Sequence, residues 1–440
     1  MTNKVLLEGY NLTLPKGTGI KTYARTLAQV GRSLGYEVDA LLQSNTRLNR
    51  SDPMLAEIAF YEGVARSGWK EKWLNNPLEI ALGRPLGLQT RALPQTGVVL
   101  SVGEGALTQQ FSRLHVAYQF TTAAKRHFWR HDRLMRIKPD VRPDIFHATH
   151  PVPVRVAGAR NVYTVHDVIP LRLPTSTLDN KKYFLKSLRA ICREADAIVT
   201  VSECSKRDIL QIVDIPESKI EVTYQSVSFP PALVAQGMDE TADVLEHIFG
   251  LEPNGYFLFF GAVEPKKNVS RLIDAYAASG VKAPLIIAGG LGWAYEDEVQ
   301  QIDQEHFSTW RLRDDEIRRV RRVRRLDHVP LSHLVALIRG ARAVLFPSLY
   351  EGFGLPVLEA MMLGAAVMTS NVSSLPEVAG DAALMVDPYD LRAMTRAIVA
   401  LDSDADLRAD LSAKGNIQAQ KFSMQAYTAR IDALYRKLLA

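Results

Sequence analysis

Alternating apolar runs, glycine loops and amphipathic stretches predict strand–helix–strand units along most of the chain. The first unit begins with an apolar strand at residues 5–7 and reaches its second strand at residues 36–42. Between them, apolar residues recur with the spacing of one helix face: Ile20, Tyr23, Ala24, Leu27, Val30 and Leu34. This spacing is typical of an amphipathic helix, and a strand–helix–strand opening predicts a parallel sheet.

Further short apolar runs predict strands on both sides of a proline-containing stretch at residues 226–231. They lie at residues 144–148, 161–167, 197–202 and 219–222, and then at 256–261, 284–290, 343–346, 365–370 and 383–386. A chain of 440 residues is long enough for two domains, each with its own core. The pattern therefore predicts two α/β domains.

The apolar run at residues 343–346 opens into a glycine loop that leads into a helix. The loop contains Glu351 and Gly354, Pro356 suits the first turn of the helix, and Gly364 is placed to end it. A strand, a glycine loop and a helix N-terminus together aim backbone N–H groups and a positive dipole at an anion. Without a Cβ, the glycines let a phosphate approach the backbone closely.

Two carboxylates belong to this unit. Glu351 lies in the loop, and Glu359 is expected in the first turn of the helix, roughly 5 Å further along. The helix dipole alone also favours acidic residues there, so a bare Glu-Gly-x-Gly allows either interpretation. If the loop binds a diphosphate, one ligand could contact both carboxylates, with its sugar near Glu351 and its ribose near Glu359.

Other polar residues follow predicted strands. His147 and the pair His166–Asp167 come at strand ends in the first half, where open α/β sheets bind ligands. Lys266 and Lys267 follow the strand at residues 256–261, and two lysines at a helix start can neutralise a diphosphate leaving group. A single histidine after a strand is also commonly structural, and an isolated Lys-Lys pair is a weak signal.

The loop before the first helix contains Gly17 and Gly19. It lacks the complete G-x-G-x-x-G, so the sequence does not support a dinucleotide-binding fingerprint.

Composition narrows the class of protein. A hydrophobic content of 47% and a charged content of 23% are ordinary for a globular protein, and no apolar run reaches the ~18 residues of a membrane span. Cys192 and Cys204 fit a reducing cytosol, and no signal peptide is expected. A net charge of +5 suits an acidic surface or a polyphosphate ligand. Without zinc spacing or an RNA-binding signature, nucleic acid is not expected as a partner.

Two segments are unusually basic. Residues 111–142 interleave basic and aromatic residues, which we interpret as a solvated helix packed by its aromatic stripe. The alternative is a surface that docks on anionic lipid headgroups, with Trp129 and Phe128 inserted. Residues 311–325 are interpreted mostly as a solvated helix face. Residues 47–110 show too little pattern for a prediction of their role.

Two motifs carry a resemblance to a known family. The stretch Phe-Pro-Ser-Leu-Tyr-Glu-Gly-Phe-Gly-Leu-Pro from Phe346, with Glu359 beyond it, resembles the E-x7-E signature of retaining GT-B glycosyltransferases of family 4. Glu-Pro-Lys-Lys-Asn at residues 264–268 is similar to the family's Glu-Pro-Arg-Lys-Asn donor motif, with Lys266 replacing arginine. Ala262 stands where many members carry another arginine. These versions look most like bacterial mannosyltransferases of O-antigen and exopolysaccharide assembly.

The resemblance implies a GT-B fold, with two doubly wound Rossmann-like domains facing a cleft. Residues 1–228 would form the acceptor-side domain and residues 229–425 the nucleotide-sugar-binding domain, while a helix at residues 426–440 returns to the first domain. Asp402-Ser-Asp404 imitates the metal-binding D-x-D of another glycosyltransferase fold, but it lies between two predicted helices and is expected to cap them.

The resemblance also implies roles for individual residues. Glu351, Lys267 and His166 are the expected catalytic residues, at the sugar, the diphosphate and the acceptor side. The expected donor-binding residues are Lys266, Gly352, Phe353, Gly354, Leu355, Glu359, Gly17 and Gly19. Asp167 and His147 are expected on the acceptor side.

The implied reaction is retaining, metal-independent and cofactor-free transfer of a hexose from a nucleotide-diphosphate sugar to a glycan hydroxyl. GDP-mannose, which would supply mannose, is the expected donor. A lipid-linked oligosaccharide of surface polysaccharide synthesis is the expected acceptor. The protein would work in the cytoplasm or on the inner face of the cytoplasmic membrane. The alternative is a nucleotide-sugar epimerase of the same fold, which favours a compact first domain.

Overall fold

The computed structural model describes residues 2–14, 19–46, 48, 51–65, 87–99, 107–293, 295, 298, 308–313 and 316–440. Within them, two mixed helix–sheet domains are built on two separate main sheets. Small sheets accompany them, with strands at Leu88–Gln89, Met135–Lys138 and Val154–Val156, and at Ser308–Arg313 and Glu316–Arg321.

The first main sheet is parallel except at one edge. Its order across the sheet is Ile220–Val222, Ala197–Thr200, Arg160–Thr164, Ile145–Ala148, Lys4–Glu8, Glu37–Ser44, Leu114–Tyr118 and Arg91–Ala92. Only the pairing of Arg91–Ala92 is antiparallel among these strands. The strand order reverses between Lys4–Glu8 and Ile145–Ala148, which marks the point where a doubly wound sheet binds ligands.

The second main sheet is parallel throughout its described strands. Its order is Val323–Leu326, Leu285–Ala288, Phe257–Phe260, Ala343–Phe346, Val367–Ser370 and Ala383–Val386. The order reverses between Phe257–Phe260 and Ala343–Phe346. The two motifs singled out in the sequence are the loops that follow these two strands, so the fold places both at one switch point.

Helices cover the faces of both sheets. In the first domain they are Gly19–Ser33, Pro53–Ala65, Leu107–Gln110, Phe120–His131, Ile169–Arg172, Lys181–Glu194 and Glu203–Ile212. In the second they are Pro231–Val234, Met238–Val244, Val269–Ser279, Leu331–Arg339, Leu355–Met362, Leu375–Ala379, Leu391–Ser403 and Ala405–Ala419. Shorter helical turns lie at Tyr10–Thr13, Pro174–Ser176, Glu217–Lys219, Leu245–Phe249, Pro265–Lys267 and Gln420–Phe422.

The last helix, Met424–Leu439, packs against the first sheet although it follows the second domain in sequence. Its buried residues Tyr427, Ile431, Leu434 and Tyr435 belong to the same core cluster as the first strand. Lys437 Nζ also lies 2.5 Å from Glu221 Oε1 at the edge of that sheet. The helix thereby joins the chain's end to its beginning.

Both basic segments differ from the predicted single helices. Residues 111–142 contain only one longer helix, Phe120–His131, between the strands Leu114–Tyr118 and Met135–Lys138. The arginine-rich run pairs as two antiparallel strands and continues into Val323–Leu326. Arginine alternates there with apolar residues, as in Trp310-Arg-Leu-Arg, and a period of two favours a strand. None of the described helices combines the length and hydropathy that a membrane-crossing segment needs.

Candidate active site

The glycine loop of the second domain is held in one conformation by its neighbours. Gly354 has a φ of 106°, a left-handed value that favours glycine, and it starts the helix Leu355–Met362. Ser374 Oγ donates to the carbonyls of Glu351 and Phe353 at 2.9 and 2.8 Å, and the N–H of Glu351 donates to Ser373 Oγ. No described residue accepts from the N–H groups of Gly354 and Leu355. These two donors remain available to an anion, as the sequence predicts.

Glu359 lies in the second turn of this helix, so its predicted place in the first turn is wrong. The helix begins only at Leu355, because Gly354 adopts a conformation that an α-helix cannot contain. Burial raises the pKa of Glu359 to about 7, and Lys267 opposes the rise. The carboxyl is therefore partly protonated near neutral pH.

Lys267 and Glu351 form an ion pair at the centre of the site. Lys267 Nζ donates to Glu351 Oε1 at 2.5 Å and lies 4.8 Å from the centre of the Phe346 ring. Burial would raise the pKa of Glu351, but Lys267 and then Lys266 hold the pKa below its usual value. At neutral pH the site thus contains an ionised carboxylate beside a lysine whose position is fixed on two sides.

The loop at residues 264–268, which carries both lysines, is also hydrogen-bonded to backbone groups of the glycine loop. The N–H of Leu349 donates to the carbonyl of Lys266 at 2.7 Å, and Asn268 Nδ2 donates to the carbonyl of Pro347 at 3.1 Å. Lys266 Nζ lies 3.6 Å from Glu264 Oε2. Burial would lower the pKa of Lys266, but Glu351, Asp167 and Glu264 raise it, so this lysine stays charged. Two cations are therefore held beside one helix N-terminus.

Gly352 touches the first domain, which changes its predicted role in donor binding. A Cβ on Gly352 would lie 2.6 Å from the carbonyl oxygen of His166 and 3.0 Å from Asp167 Cβ. Its own carbonyl accepts from Ser202 Oγ at 2.7 Å and Ser205 Oγ at 3.2 Å. The missing Cβ thus admits the loop of the first domain, not a phosphate.

The ring of Phe353 is buried in the core cluster of the second domain. Only 4% of the residue is exposed, and its ring packs at 5.4 Å on Phe422 and at 6.4 Å on Tyr224. The ring therefore completes the core that supports the loop, and the donor-binding role expected for Phe353 stays a prediction that its side chain does not serve. Its backbone still borders the site.

His166 is held beside the glycine loop as a neutral ring. Nε2 is 2.9 Å from the carbonyl of Thr149 and donates to it, while Gln225 Nε2 donates to Nδ1 at 3.1 Å. Burial, with a smaller effect of His150, lowers the pKa of His166 to about 4. With both ring nitrogens engaged, His166 positions the loop and Asp167. It is not poised to exchange a proton.

His147 does not reach the cleft, so its predicted acceptor-side role is wrong. It lies inside the strand Ile145–Ala148 and is 0% exposed. Nδ1 is 2.9 Å from Tyr435 Oη and Nε2 is 2.9 Å from Thr164 Oγ1. The ring therefore bonds the returning helix to the sheet. Burial lowers its pKa to about 3.

Gly19 brings the first helix to the glycine loop. A Cβ on Gly19 would lie 3.8 Å from Leu355 Cδ1, so the N-termini of two helices from different domains meet at the cleft. Gly17 lies outside the described residues.

The aspartates of the D-x-D imitation have structural partners. Asp404 caps the helix Ala405–Ala419 by accepting from the N–H of Leu407 at 2.8 Å, and Asp402 pairs with Arg342. The capping interpretation is confirmed for Asp404, whereas Asp402 lies in the preceding helix. The described residues contain no cluster of three metal-ligating side chains.

Comparisons with known proteins identify the family. Residues 248–418 match the model of glycosyl transferases group 1, and residues 98–228 match that of glycosyltransferase family 4. O-antigen chain mannosyltransferase B of Escherichia coli is 35% identical over 286 residues, covering 63% of this chain and 71% of the relative. The chain belongs to glycosyltransferase family 4.

Other relatives extend this result. Serotype-specific mannosyltransferase WbdA of Escherichia coli is 29% identical over 299 residues, which cover 63% of this chain and 34% of that protein. The chain thus matches only about a third of WbdA. The structure of HepE from Anabaena with UDP and glucose has a TM-score of 0.65 at 15% identity, covering 99% of this chain and 100% of that chain. The structure of sucrose-phosphate synthase from Thermosynechococcus elongatus has a TM-score of 0.64 at 16% identity, covering 99% of this chain and 99% of that chain. The expected GT-B fold is confirmed.

Several residues around the site of this family 4 enzyme were missed by sequence reasoning. Ser202 and Ser205 join the domains at Gly352, and Glu377 accepts from the N–H groups of Glu203 and Cys204 at 2.8 and 3.3 Å. Ser202 also caps the helix Glu203–Ile212 by accepting from the N–H of Ser205 at 3.0 Å. Contacts across the two domains join residues about 150 positions apart, which no local pattern reveals.

Proposed function

We propose that this glycosyltransferase transfers mannose from GDP-mannose to a hydroxyl of a glycan acceptor, with retention of anomeric configuration. The mannosyltransferase names of its relatives support the donor sugar. The Lys267–Glu351 pair beside the N-terminus of Leu355–Met362 carries the proposal, because it joins a charge for the diphosphate to an acceptor for sugar hydroxyls. None of the relatives reported above is named an epimerase, and we do not propose that alternative.

Each group of the site has a role in this reaction. Lys267, Lys266 and the N–H groups of Gly354 and Leu355 stabilise the negative charge that grows on the leaving diphosphate. Glu351, ionised by its pair with Lys267, accepts hydrogen bonds from the hydroxyls of the transferred sugar. Glu359 accepts from the ribose hydroxyls one turn further along the helix.

Front-face departure and attack fit this arrangement. Glu351 already accepts from Lys267 at 2.5 Å, which reduces its strength as a nucleophile. In a front-face reaction, the bond to the diphosphate breaks as the acceptor oxygen attacks the same face, and the hydroxyl proton passes to the departing diphosphate. The protein then supplies positioning and charge stabilisation. We propose that the two lysines provide this charge without a metal ion.

The acceptor is proposed to be a lipid-linked glycan, reached from an anionic membrane surface. Arg126, Arg130 and Arg133 are exposed on or just beyond the helix Phe120–His131, and we name them the basic face. Phe128 is 0% exposed in the core, so its predicted insertion into lipid is wrong. Each basic residue near an anionic bilayer contributes about 1 kcal/mol, so the basic face suffices for reversible docking.

A panel of nucleotide sugars tests the donor assignment. GDP-mannose at 100 times its Kd should stabilise the wild type by about 2.7 kcal/mol, which a thermal-shift assay detects. Lys267→Ala should lose most of that stabilisation and about 10²-fold in turnover, whereas the exposed control Lys282→Ala should behave as wild type. Near-normal turnover of Lys267→Ala would contradict the site. Stronger stabilisation by UDP sugars would replace GDP-mannose, and a product of inverted anomeric configuration would exclude retention.

A further inference from the structure

A cavity of about 530 Å³ lies in the first domain beside the proposed reaction centre. Its volume falls in the range of small-molecule sites. Its lining includes His166 and Asp167, and it extends to Trp129 on the helix Phe120–His131 and to Tyr183 on Lys181–Glu194. Because Asp167 also meets Gly352 of the glycine loop, the cavity begins where the two domains touch.

A buried carboxylate fixes one polar wall of this cavity. Glu8 ends the first strand and accepts from the N–H of Tyr10 at 2.6 Å and from Thr149 Oγ1 at 2.9 Å. His150 Nδ1 lies 2.8 Å from Glu8 Oε2. Burial would raise the pKa of Glu8, but His150 reverses the effect and lowers the pKa. With Nδ1 engaged, Nε2 of His150 has no partner among the described residues and is available to the cavity.

Aromatic side chains also line the cavity. Trp129 lines the cavity and is 70% exposed, and Lys125 lies one helical turn before it on the same face. The hydroxyl of Tyr183 is buried and has no hydrogen-bond partner among the residues that the structure describes. A buried hydroxyl without a partner is costly, so a ligand that bonds to it gains affinity.

The charges of the cavity select the class of ligand. The lining contains Asp167, Asp179 and Lys125, so an anionic headgroup or a second diphosphate would meet two carboxylates and one lysine. A neutral sugar chain suits the same lining better. Its hydroxyls donate to carboxylates and to a histidine nitrogen, and its C–H faces pack on exposed aromatic rings.

We propose that this cavity binds the sugar residues of the acceptor glycan, with Trp129 as a stacking platform and Tyr183 and His150 as hydrogen-bonding partners. The proposal rests on the proposed function and deepens it by naming the acceptor subsite. It also separates two faces of one helix. Lys125 and Trp129 face the glycan, and the basic face is left for a membrane surface.

Titration with mannotriose, followed by saturation-transfer NMR and calorimetry, tests the subsite. Trp129→Ala should raise the Kd of mannotriose about tenfold, and Tyr183→Phe should raise it about fivefold. Tyr183→Phe should keep or increase thermal stability, because the hydroxyl it removes has no partner in the unliganded protein. The control Arg126→Ala changes an exposed residue of the same helix and should bind mannotriose as wild type does.

The alternatives give different results. Equal mannotriose affinity in wild type, Trp129→Ala and Tyr183→Phe, or no binding to wild type, would overturn the subsite. Weaker binding of Trp129→Ala to vesicles of phosphatidylcholine and phosphatidylglycerol, with mannotriose binding unchanged, would assign Trp129 to a membrane contact instead. GDP-mannose stabilisation should persist in both cavity variants. If GDP-mannose did not stabilise the wild type, the donor assignment would be contradicted, whether or not mannotriose binds.

Discussion

Replacing Glu359 by glutamine removes one ionisable group from the proposed donor site at almost constant shape. In the folded protein, burial moves the pKa of this carboxyl from the usual 4.5 to about 7. Between these values the unfolded chain has released the proton and the folded protein has kept it, so stability falls as pH rises. The full difference is about 3 kcal/mol, reached above pH 7. The glutamine variant lacks this loss.

The same substitution should act on donor binding in the opposite direction. Ribose hydroxyls donate hydrogen bonds, and an ionised carboxylate accepts them more strongly than a neutral acid or an amide. Donor binding to wild type must therefore ionise Glu359, and the Kd should fall about tenfold between pH 6 and pH 8. Glu359→Gln should bind the donor about tenfold more weakly at pH 8, with little dependence on pH.

Two measurements on one pair of proteins check this reasoning. At pH 5 the wild type and Glu359→Gln should have nearly equal unfolding temperatures. At pH 8 the unfolding temperature of Glu359→Gln should be several degrees higher than that of the wild type. Calorimetric titration with GDP-mannose then gives the Kd at pH 6, 7 and 8. Glu252→Gln, an exposed position, is the control and should change neither quantity. A variant that keeps the pH dependence of the wild-type Kd would refute the assignment of Glu359 to the ribose.

Three further predictions concern metal, membrane and pH. Turnover should survive EDTA, because Asp402 pairs with Arg342 and Asp404 caps a helix; complete loss that manganese restores would contradict this. Changing all three arginines of the basic face to glutamate should abolish salt-sensitive binding to anionic liposomes but leave the Kd of GDP-mannose unchanged. If the variant and the wild type bound these liposomes equally, the basic face would be an ordinary solvated surface and not a membrane contact. His115 is buried between Asp39 at 3.1 Å and Asp140 at 2.6 Å, and although burial lowers its pKa, the two carboxylates raise it overall. Its contribution to stability is thus complete below about pH 6.5 and is lost as pH rises through the folded pKa, so urea unfolding of His115→Gln should show a deficit at pH 6 that shrinks by pH 9.

The elements that the sequence predicted best are those determined by residues close to them in the chain. The strands Ala343–Phe346 and Ala383–Val386 have the predicted bounds, because short apolar runs between glycine or proline signals leave few alternatives. Gly364 ends its helix with a φ of 81°, as glycine at a helix end does. Local chemistry was therefore enough to locate the glycine loop and the helix that follows it.

The acceptor-side prediction for His147 failed because it depended on a partner distant in sequence. His147 and His166 both follow the same apolar pattern, but His147 is still inside its strand and bonds to Tyr435, 288 residues away. His166 lies two residues beyond its strand, which ends at Thr164, and reaches the cleft. Position relative to the strand end separates a structural histidine from one at the cleft, and residue type alone does not.

Consecutive residues of the glycine loop contact both domains. A change in this loop would therefore alter the proposed positions of the donor and the acceptor together. The carboxylate of Glu351 faces Lys267, while the carbonyl of Gly352 accepts from Ser202 and Ser205 of the first domain. Any side chain at Gly352 would meet the backbone of His166 at 2.6 Å and force the domains apart. Because Asp167 forms part of the proposed acceptor cavity, such a shift would move the acceptor away from the sugar while Lys267 still held the diphosphate. Close approach at Gly352 is thus the physical condition for the proposed attack on the face from which the diphosphate would leave.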